Sequence, residues 1–305
     1  MAQPPAYPSR PLVLVVPQAA GGTNDIVGRL VGQKLGEVLG GSAVVENRPG
    51  AGGNIGTQSV ARAPKDGHTL LLTISSSQAI NPALYRNPGF DPVKDFVPVG
   101  LVGAVPNVLL AHPSFPAKSM AELLALVRAA PPQTYRYASA GNGTLNHLLG
   151  EMLNHMAGIE LQHVPYKGVA PAINDVLGNQ LPLVFASLPS ALPHIQSGRL
   201  RPLAVSGAKR SPALPEVPAI AETVPGYDGT LWIGLYAPAG VPPEVPARLR
   251  PAMAQALAAP DLRAALEKQG VEIAPPTGPE QFADLLRRDL QKWAGIVKAS
   301  GASLD

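Results

Sequence analysis

Residues 17–25 read Pro17-Gln18-Ala19-Ala20-Gly21-Gly22-Thr23-Asn24-Asp25, and the way this stretch folds decides how the rest of the chain is read. It follows Leu12 to Val16, an uninterrupted apolar run rich in β-branched valine that predicts a buried strand. After it, Ile26, Val27, Leu30, Val31, Leu35, Val38 and Leu39 recur at the spacing of one helix face. The unit is therefore strand, glycine loop, helix. The first amides of a helix have no partner inside it, and glycines let a ligand approach the backbone, so the loop is a natural seat for a carboxylate or another anion. Asp25 in the first turn also suits the helix dipole and reads equally well as a cap. A βα turn that binds nothing is the plain alternative.

The same arrangement returns about 120 residues later. The strand Tyr135 to Ala138 leads into Ser139-Ala140-Gly141-Asn142-Gly143-Thr144, which opens a helix marked by Leu145, Leu148, Leu149, Met152, Leu153 and Met156. Asn146 stands where a dinucleotide fingerprint needs its third glycine, so a polar or anionic seat is the better reading. A third strand, Thr69 to Ile74, ends in Ser75-Ser76-Ser77. If the sheet is open and parallel, these hydroxyls lie at the carboxyl ends of its strands with the first loop, where ligands bind; a helix cap is the even alternative.

Between these units the pattern continues as alternating strands and helices. Ala43 to Glu46 is a short strand followed by a second glycine-rich loop, Asn47 to Asn54, and a helix from Ile55 to about Ala63. Residues Asn81 to Pro98, with four prolines, predict an irregular excursion. Strands follow at Val99 to Val102 and Val108 to Ala111, and Ser119 with Glu122 predicts a capping box. Further strands are expected at Leu161 to Pro165, Leu181 to Phe185, Leu200 to Ser206 and Leu231 to Ala237, with helices from Ala170 to Leu177 and around Ala191 to Gln196. The remainder reads as helices over Glu244 to Ala258, Asp261 to Gln269 and Glu280 to Ser300, with a short strand at Val271 to Ala274.

A chain of 305 residues suits two domains. Its +3 charge is scattered, with no basic run interleaved with aromatics, which argues against a nucleic-acid partner. No cysteine is present, which excludes disulfides and thiolate catalysis and fits an exported protein. No apolar run approaches membrane-span length. Met1 to Pro8 is short, polar and proline-rich, and is expected to be a mature N-terminus bearing an added initiator Met rather than a signal peptide. The sequence holds no Gly-x-Ser-x-Gly elbow, no His-Glu-x-x-His and no P-loop lysine. His147, His155 and His163 lack enough nearby carboxylates to predict a metal site. His147 could donate to a ligand oxygen or be structural, and Tyr166 could close over a ligand or pack in a core.

Taken in order, several short segments resemble the Bug receptors, the periplasmic substrate-binding proteins of tripartite tricarboxylate transporters. They are Pro17 with Gly21-Gly22-Thr23 and Asp25; Val45 to Gly53; Asp66-Gly67-His68-Thr69-Leu70; Ile80-Asn81-Pro82; Ala138 to Gly143 with His147; His163 to Gly168; Leu188 to Leu192; Ser211 to Pro215; and Ala237 to Gly240. The resemblance runs from about Tyr7 to Asp305. It implies an α/β, type II periplasmic-binding-protein fold of two lobes, 1–104 with 226–305 and 105–225, which close like a flytrap on a small carboxylate. It also implies that Gln18, Ala20, Gly21, Gly22, Thr23 and Asp25 of one lobe hold the ligand with Ser139, Ala140, Gly143, Thr144, His147, Tyr166, Lys167 and Gly168 of the other. Ser75, Ser76 and Ala186 complete the expected set. Gln18 replaces an aromatic residue usual in the family. Ala186 replaces a common Asp, which tilts the expected ligand from an amino acid towards a plain aliphatic or aromatic acid. A non-enzymatic, cofactor-free monomer is expected, delivering to transporter membrane components or to a sensor kinase. The alternative is an α/β enzyme acting on a small carboxylate or phosphate in the same cleft.

Overall fold

The computed structural model describes residues 7–304, so most of the expected mature N-terminus lies outside the described residues. In chain order the elements begin with β1 (Leu12–Val16), α1 (Thr23–Leu39), β2 (Ala43–Asn47), α2 (Asn54–Ala61), β3 (Thr69–Ile74), α3 (Asn81–Leu84), β4 (Phe96–Val105) and β5 (Asn107–Ala111). Then come α4 (Met120–Ala129), β6 (Arg136–Ser139), α5 (Leu145–Ala157), β7 (Gln162–Pro165), α6 (Val169–Leu177), β8 (Leu183–Ser187), α7 (Leu188–Gln196) and β9 (Arg201–Val205). The chain finishes with β10 (Leu231–Pro238), α8 (Glu244–Ala258), α9 (Pro260–Lys268), β11 (Glu272–Ile273) and α10 (Pro279–Ser300). The described residues divide into two compact units, 7–104 with 232–294, and 105–231 with 295–304.

The first unit is built on a six-stranded sheet in the order β11-β4-β10-β3-β1-β2. β1 runs parallel to β2 and β3, but β10 is antiparallel to β3, with Leu235 opposite Leu72. The sheet is therefore mixed. Its strands are apolar because both faces are covered: Leu12, Leu14, Leu70, Leu71 and Leu72 are fully buried. α1 presents Val27, Val31 and Leu35 inward, and α8 and α9 pack on it, where the Lys34 ammonium reaches Glu37 at 2.7 Å and Asp261 at 2.5 Å. Gly40 closes α1 in the left-handed conformation at φ 74°, as the sequence predicts for Gly40-Gly41.

The second unit has five strands in the order β7-β6-β8-β5-β9. β6 is parallel to β7 and β8, whereas β5 is antiparallel to β8 and β9. One core cluster joins Val108, Leu110, Ala138 and Val184 of the strands to Ala172, Ile173 and Val176 of α6 and to Leu188 and Ala191 of α7. Met156, expected among the residues marking α5, is 37% exposed in its last turn: the helix ends one residue later at Ala157, and Gly158 follows at φ 61°.

Two local expectations are corrected. The proline-rich stretch after β3 is more ordered than Pro82, Pro88, Pro92 and Pro98 suggest: a π-helical turn over Ser76–Ile80 passes into α3, and β4 begins at Phe96. The Ser119 hydroxyl does accept from the Glu122 amide at 3.2 Å, but the Glu122 carboxylate takes the Lys118 amide, one residue outside the reciprocal capping box.

Candidate functional site

In the first unit, β1 ends at the foot of the Pro17–Asp25 loop, and α1 begins at Thr23 behind Gly22, which supplies no side-chain cap. Asp25 turns back instead. Its Oδ2 accepts the Gly21 amide at 2.8 Å and Arg29 Nε at 3.2 Å, and Arg29 in turn donates to Asn47 Oδ1 at 3.2 Å. Burial pushes the Asp25 carboxyl up, but the Gly21 amide, Arg29 and Asn47 outweigh it and hold it below the usual carboxylate range. Asp25 is thus a buried anion that fixes the loop. Ala20, Gly21 and Gly22 are exposed and Thr23 is half-buried, so the uncapped end of α1 is open to solvent.

Gln18 is held from two sides. Its Nε2 donates to Ser77 Oγ at 3.0 Å, while its Oε1 accepts a short hydrogen bond from Asn24, whose Nδ2 also reaches the Leu72 carbonyl at 3.2 Å. Ser77 Oγ and Asn81 Nδ2 both donate to the Gly52 carbonyl at 3.0 Å. The second glycine loop therefore supports the first from behind. Gly53 shows why its side chain is missing: at φ 102°, an added Cβ would lie 2.4 Å from Ser77 Oγ. Of the expected serines, Ser75 is fully buried, with an Oγ lacking any hydrogen-bond partner among the described residues, and Ser76 is half-buried.

In the second unit the Ser139–Thr144 loop is tied down by imidazoles. Ser139 Oγ accepts the Gly141 amide at 3.0 Å and lies 2.6 Å from His163 Nε2. Gly143 donates its amide to His147 Nδ1 at 3.1 Å, which places the ring proton on Nε2, and the His147 and His163 rings stack at 3.9 Å. Burial drives His147 down to about 4 and His163 to about 3. Both are then neutral near pH 7, so the 3.8 Å approach of His147 Nε2 to Glu151 is not an ion pair. The Tyr137 hydroxyl shares its proton between the His147 carbonyl at 2.9 Å and Glu151 Oε1 at 2.8 Å. Through Nδ1, His147 holds the Gly143 end of the turn.

The loop after β7 closes over the same strand end. Tyr166 and Gly168 donate their amides to the carbonyls of Ser139 and Ala140, each at 3.1 Å. The Tyr166 hydroxyl makes a short hydrogen bond to Asp175, which with burial lifts its pKa to about 12; the hydroxyl is committed to α6. Ala140, Gly143, Thr144 and Gly168 are half-buried and Lys167 is exposed, around an α6 start that has no side-chain cap. Thr144 caps α5 by accepting the His147 amide at 3.4 Å.

Ala186 is fully buried in β8 opposite Val108, among the apolar side chains of the core. Ser139 is buried likewise and acts through the loop. The residues that sequence reasoning passed over are the amides behind the loops: Asn24, Asn47, and Asn146, whose Nδ2 donates to Asn107 Oδ1 at 2.9 Å and to the Phe185 carbonyl at 3.0 Å. Their only signal was a carboxamide within or just after a glycine loop.

Asp25, His147 and Tyr166 are each engaged within their own unit and do not form a poised acid–base pair. Among the described residues no group of three His, Cys, Asp or Glu side chains could hold a metal ion, and no helix is long and apolar enough to cross a membrane.

Two α/β units, each with a glycine loop opening onto a helix start, are the architecture this chain shares with solved periplasmic binding proteins. The chain belongs to the tripartite tricarboxylate transporter receptor family, whose sequence profile matches residues 27–302. This is a family of transport receptors, not enzymes. The periplasmic binding protein BugD is 37% identical, with a TM-score of 0.80 over 97% of this chain and 99% of its own. Rpa4515 of R. palustris, solved with adipate, is 36% identical, with a TM-score of 0.83 over 98% and 100%. MatC of Rhodopseudomonas palustris, solved with bound malate, is 31% identical, with a TM-score of 0.79 over 95% and 100%.

Proposed function

We propose that this receptor captures one small carboxylic acid, gripped at once by the Ala20–Thr23 turn of the first unit and the Ala140–Thr144 and Tyr166–Gly168 turns of the second. The observation that carries the reading is that each unit builds, from its own sequence, a solvent-facing turn beside a helix start that lacks a side-chain cap, α1 in one and α6 in the other. Adipate and malate in the related structures are the chemistry such turns suit. Amides and ordered water would bind the carboxylate, with Lys167 adding a positive charge. Gln18, Ser76 and the side-chain amides behind the loops would shape the rest of the pocket, while Asp25, Ser139, His147 and Tyr166 would act by holding the turns in place. The monomer would deliver its cargo to the membrane components of a tripartite transporter, or report it to a sensor kinase.

A ligand that prefers the native state must raise the melting temperature. A panel of aliphatic dicarboxylates, hydroxy acids, aromatic acids and amino acids is therefore expected to give a saturable upward shift for at least one carboxylate. A melting curve unmoved by the whole panel removes the proposal.

A further inference from the structure

The first unit contains a cavity away from its glycine loop. It lies between β4, α8 and the segment that follows β11, has a volume of ≈ 150 Å³, and is walled by Val99, Leu101, Met253, Leu257 and Ala274 together with prolines 275, 276 and 279. Its wall is preformed. The Ala274 amide pairs with the Val102 carbonyl at 3.1 Å, extending the sheet edge, and Pro275 and Pro276 have fixed φ. Beyond them Thr277 Oγ1 donates to the Pro275 carbonyl at 2.7 Å and Gly278 donates its amide to Gln281 Oε1 at 3.0 Å.

The charge at this cavity has one sign. Arg250 and Arg263 line it and no carboxylate does. Arg250 is held by the Pro98 carbonyl, 3.3 Å from Nε and 3.1 Å from Nη2, while Arg263 is only loosely paired, with Nη2 3.9 Å from Glu267 Oε1. A space of about 150 Å³ lined by aliphatic side chains is large enough for a benzene ring. Apolar walls with a few convergent polar groups are the usual make-up of a small-molecule site.

We infer that this cavity is a second ligand site, for a monoanionic acid carrying a single ring or a short alkyl chain: the apolar body fills the space between Met253 and the proline wall, and the carboxylate meets Arg250 and Arg263. It is separate from the carboxylate seat proposed for the glycine turns and does not depend on it. Occupation would join the helical layer of α8 to the edge of the sheet, so that a ring acid stabilises the first unit whether or not cargo is present.

Met253 supplies the test, because its side chain lines the cavity and the chain holds only five methionines. The full chain, labelled with 13C-methyl methionine and with Met253 assigned by Met253→Leu, is titrated with 4-fluorobenzoate and, in parallel, with neutral fluorobenzene. A saturable shift of the Met253 methyl signal is expected, with affinity at least about tenfold higher for the anion. Arg263→Gln should weaken 4-fluorobenzoate by about threefold to tenfold while leaving fluorobenzene unchanged. Ala254→Phe, placing a ring from an exposed position of α8 over the cavity, should abolish both. A Met253 signal that does not move, equal affinity for the two probes, or binding that survives Ala254→Phe overturns the inference. Repeating the titration with saturating adipate should leave it unaltered, and loss of the Met253 shift under adipate contradicts a second site. Failure of adipate to bind at all would count against the proposed cargo seat and leave this result standing.

Discussion

The imidazole of His147 lies on that of His163 with ring centroids 3.9 Å apart, and each ring holds one end of the same glycine turn, His147 through the Gly143 amide and His163 through Ser139. Two neutral rings can stack this way; two imidazoliums cannot without repulsion. The turn therefore depends on both staying unprotonated. The unfolded chain protonates its histidines near 6.5, whereas the folded chain resists until about 4 for His147 and about 3 for His163. Over that interval the unfolded state binds more protons, so stability falls as pH falls from 6.5 towards 4. Each ring accounts for about 3 kcal/mol by pH 4, an upper bound that solvent screening at the half-buried His163 lowers, and Glu151, whose carboxyl is raised by burial, offsets part of the loss by the opposite trend. Urea midpoints measured across this range check it, and His163→Gln should flatten the slope.

Asp25 and Arg29 separate the amide hydrogen bond of a buried carboxylate from its pairing with a largely exposed guanidinium. Asp25→Ala removes the acceptor of the Gly21 amide and should destabilise the chain by about 1–2 kcal/mol. Arg29→Ala should cost less than about 0.5 kcal/mol, since the Arg29 side chain is 55% exposed. Urea unfolding at neutral pH compares the two, and equal losses would show that the charge pair, not the amide bond, holds the turn.

Gly56 sets how closely α2 approaches the first loop. A Cβ there would lie 2.5 Å from the Arg48 carbonyl and 2.8 Å from Pro17 Cα, both backbone atoms with little freedom to give. Gly56→Ala should cost more than about 2 kcal/mol and shift the amide signals of the Pro17–Asp25 turn in an NMR spectrum.

Tyr166 tests the assignment of its hydroxyl to α6. Tyr166→Phe strips the partner from Asp175 and should lower stability by about 1 kcal/mol while changing carboxylate affinity less than about twofold. A large loss of affinity with unchanged stability would return the hydroxyl to the ligand.

How much of this was legible beforehand follows from the physics of each signal. β3 and α8 fall where periodicity and turn residues place them, because apolar runs bounded by Asp66-Gly67 or by prolines leave little choice. The glycine loops were legible as loops. Strand direction was not: β10 and β5 run antiparallel to neighbours distant in sequence, and nothing local in Leu231–Pro238 encodes that. Nor could spacing tell which loop side chains face inward. Asp25, His147 and Tyr166 look like ligand groups in one dimension, yet each is consumed by a partner within nine residues: the Gly21 amide, the Gly143 amide and Asp175. The burial of Ala186 was hidden for a related reason. In a strand covered on both faces, neighbouring side chains are equally buried, and alternation no longer separates core from surface.

The most direct test titrates adipate or malate calorimetrically into the wild-type chain and into two variants, one per unit: Gly22→Leu, which covers the start of α1, and Ala140→Phe, which crowds the turn after β6. Gly22 has an ordinary negative φ of −79° and Ala140 is only half-buried, so both variants should fold. The account predicts a single acid per chain and a loss of at least about tenfold in affinity in each variant. A carboxylate that binds either variant as tightly as it binds the wild type would contradict the claim that both turns grip the same ligand.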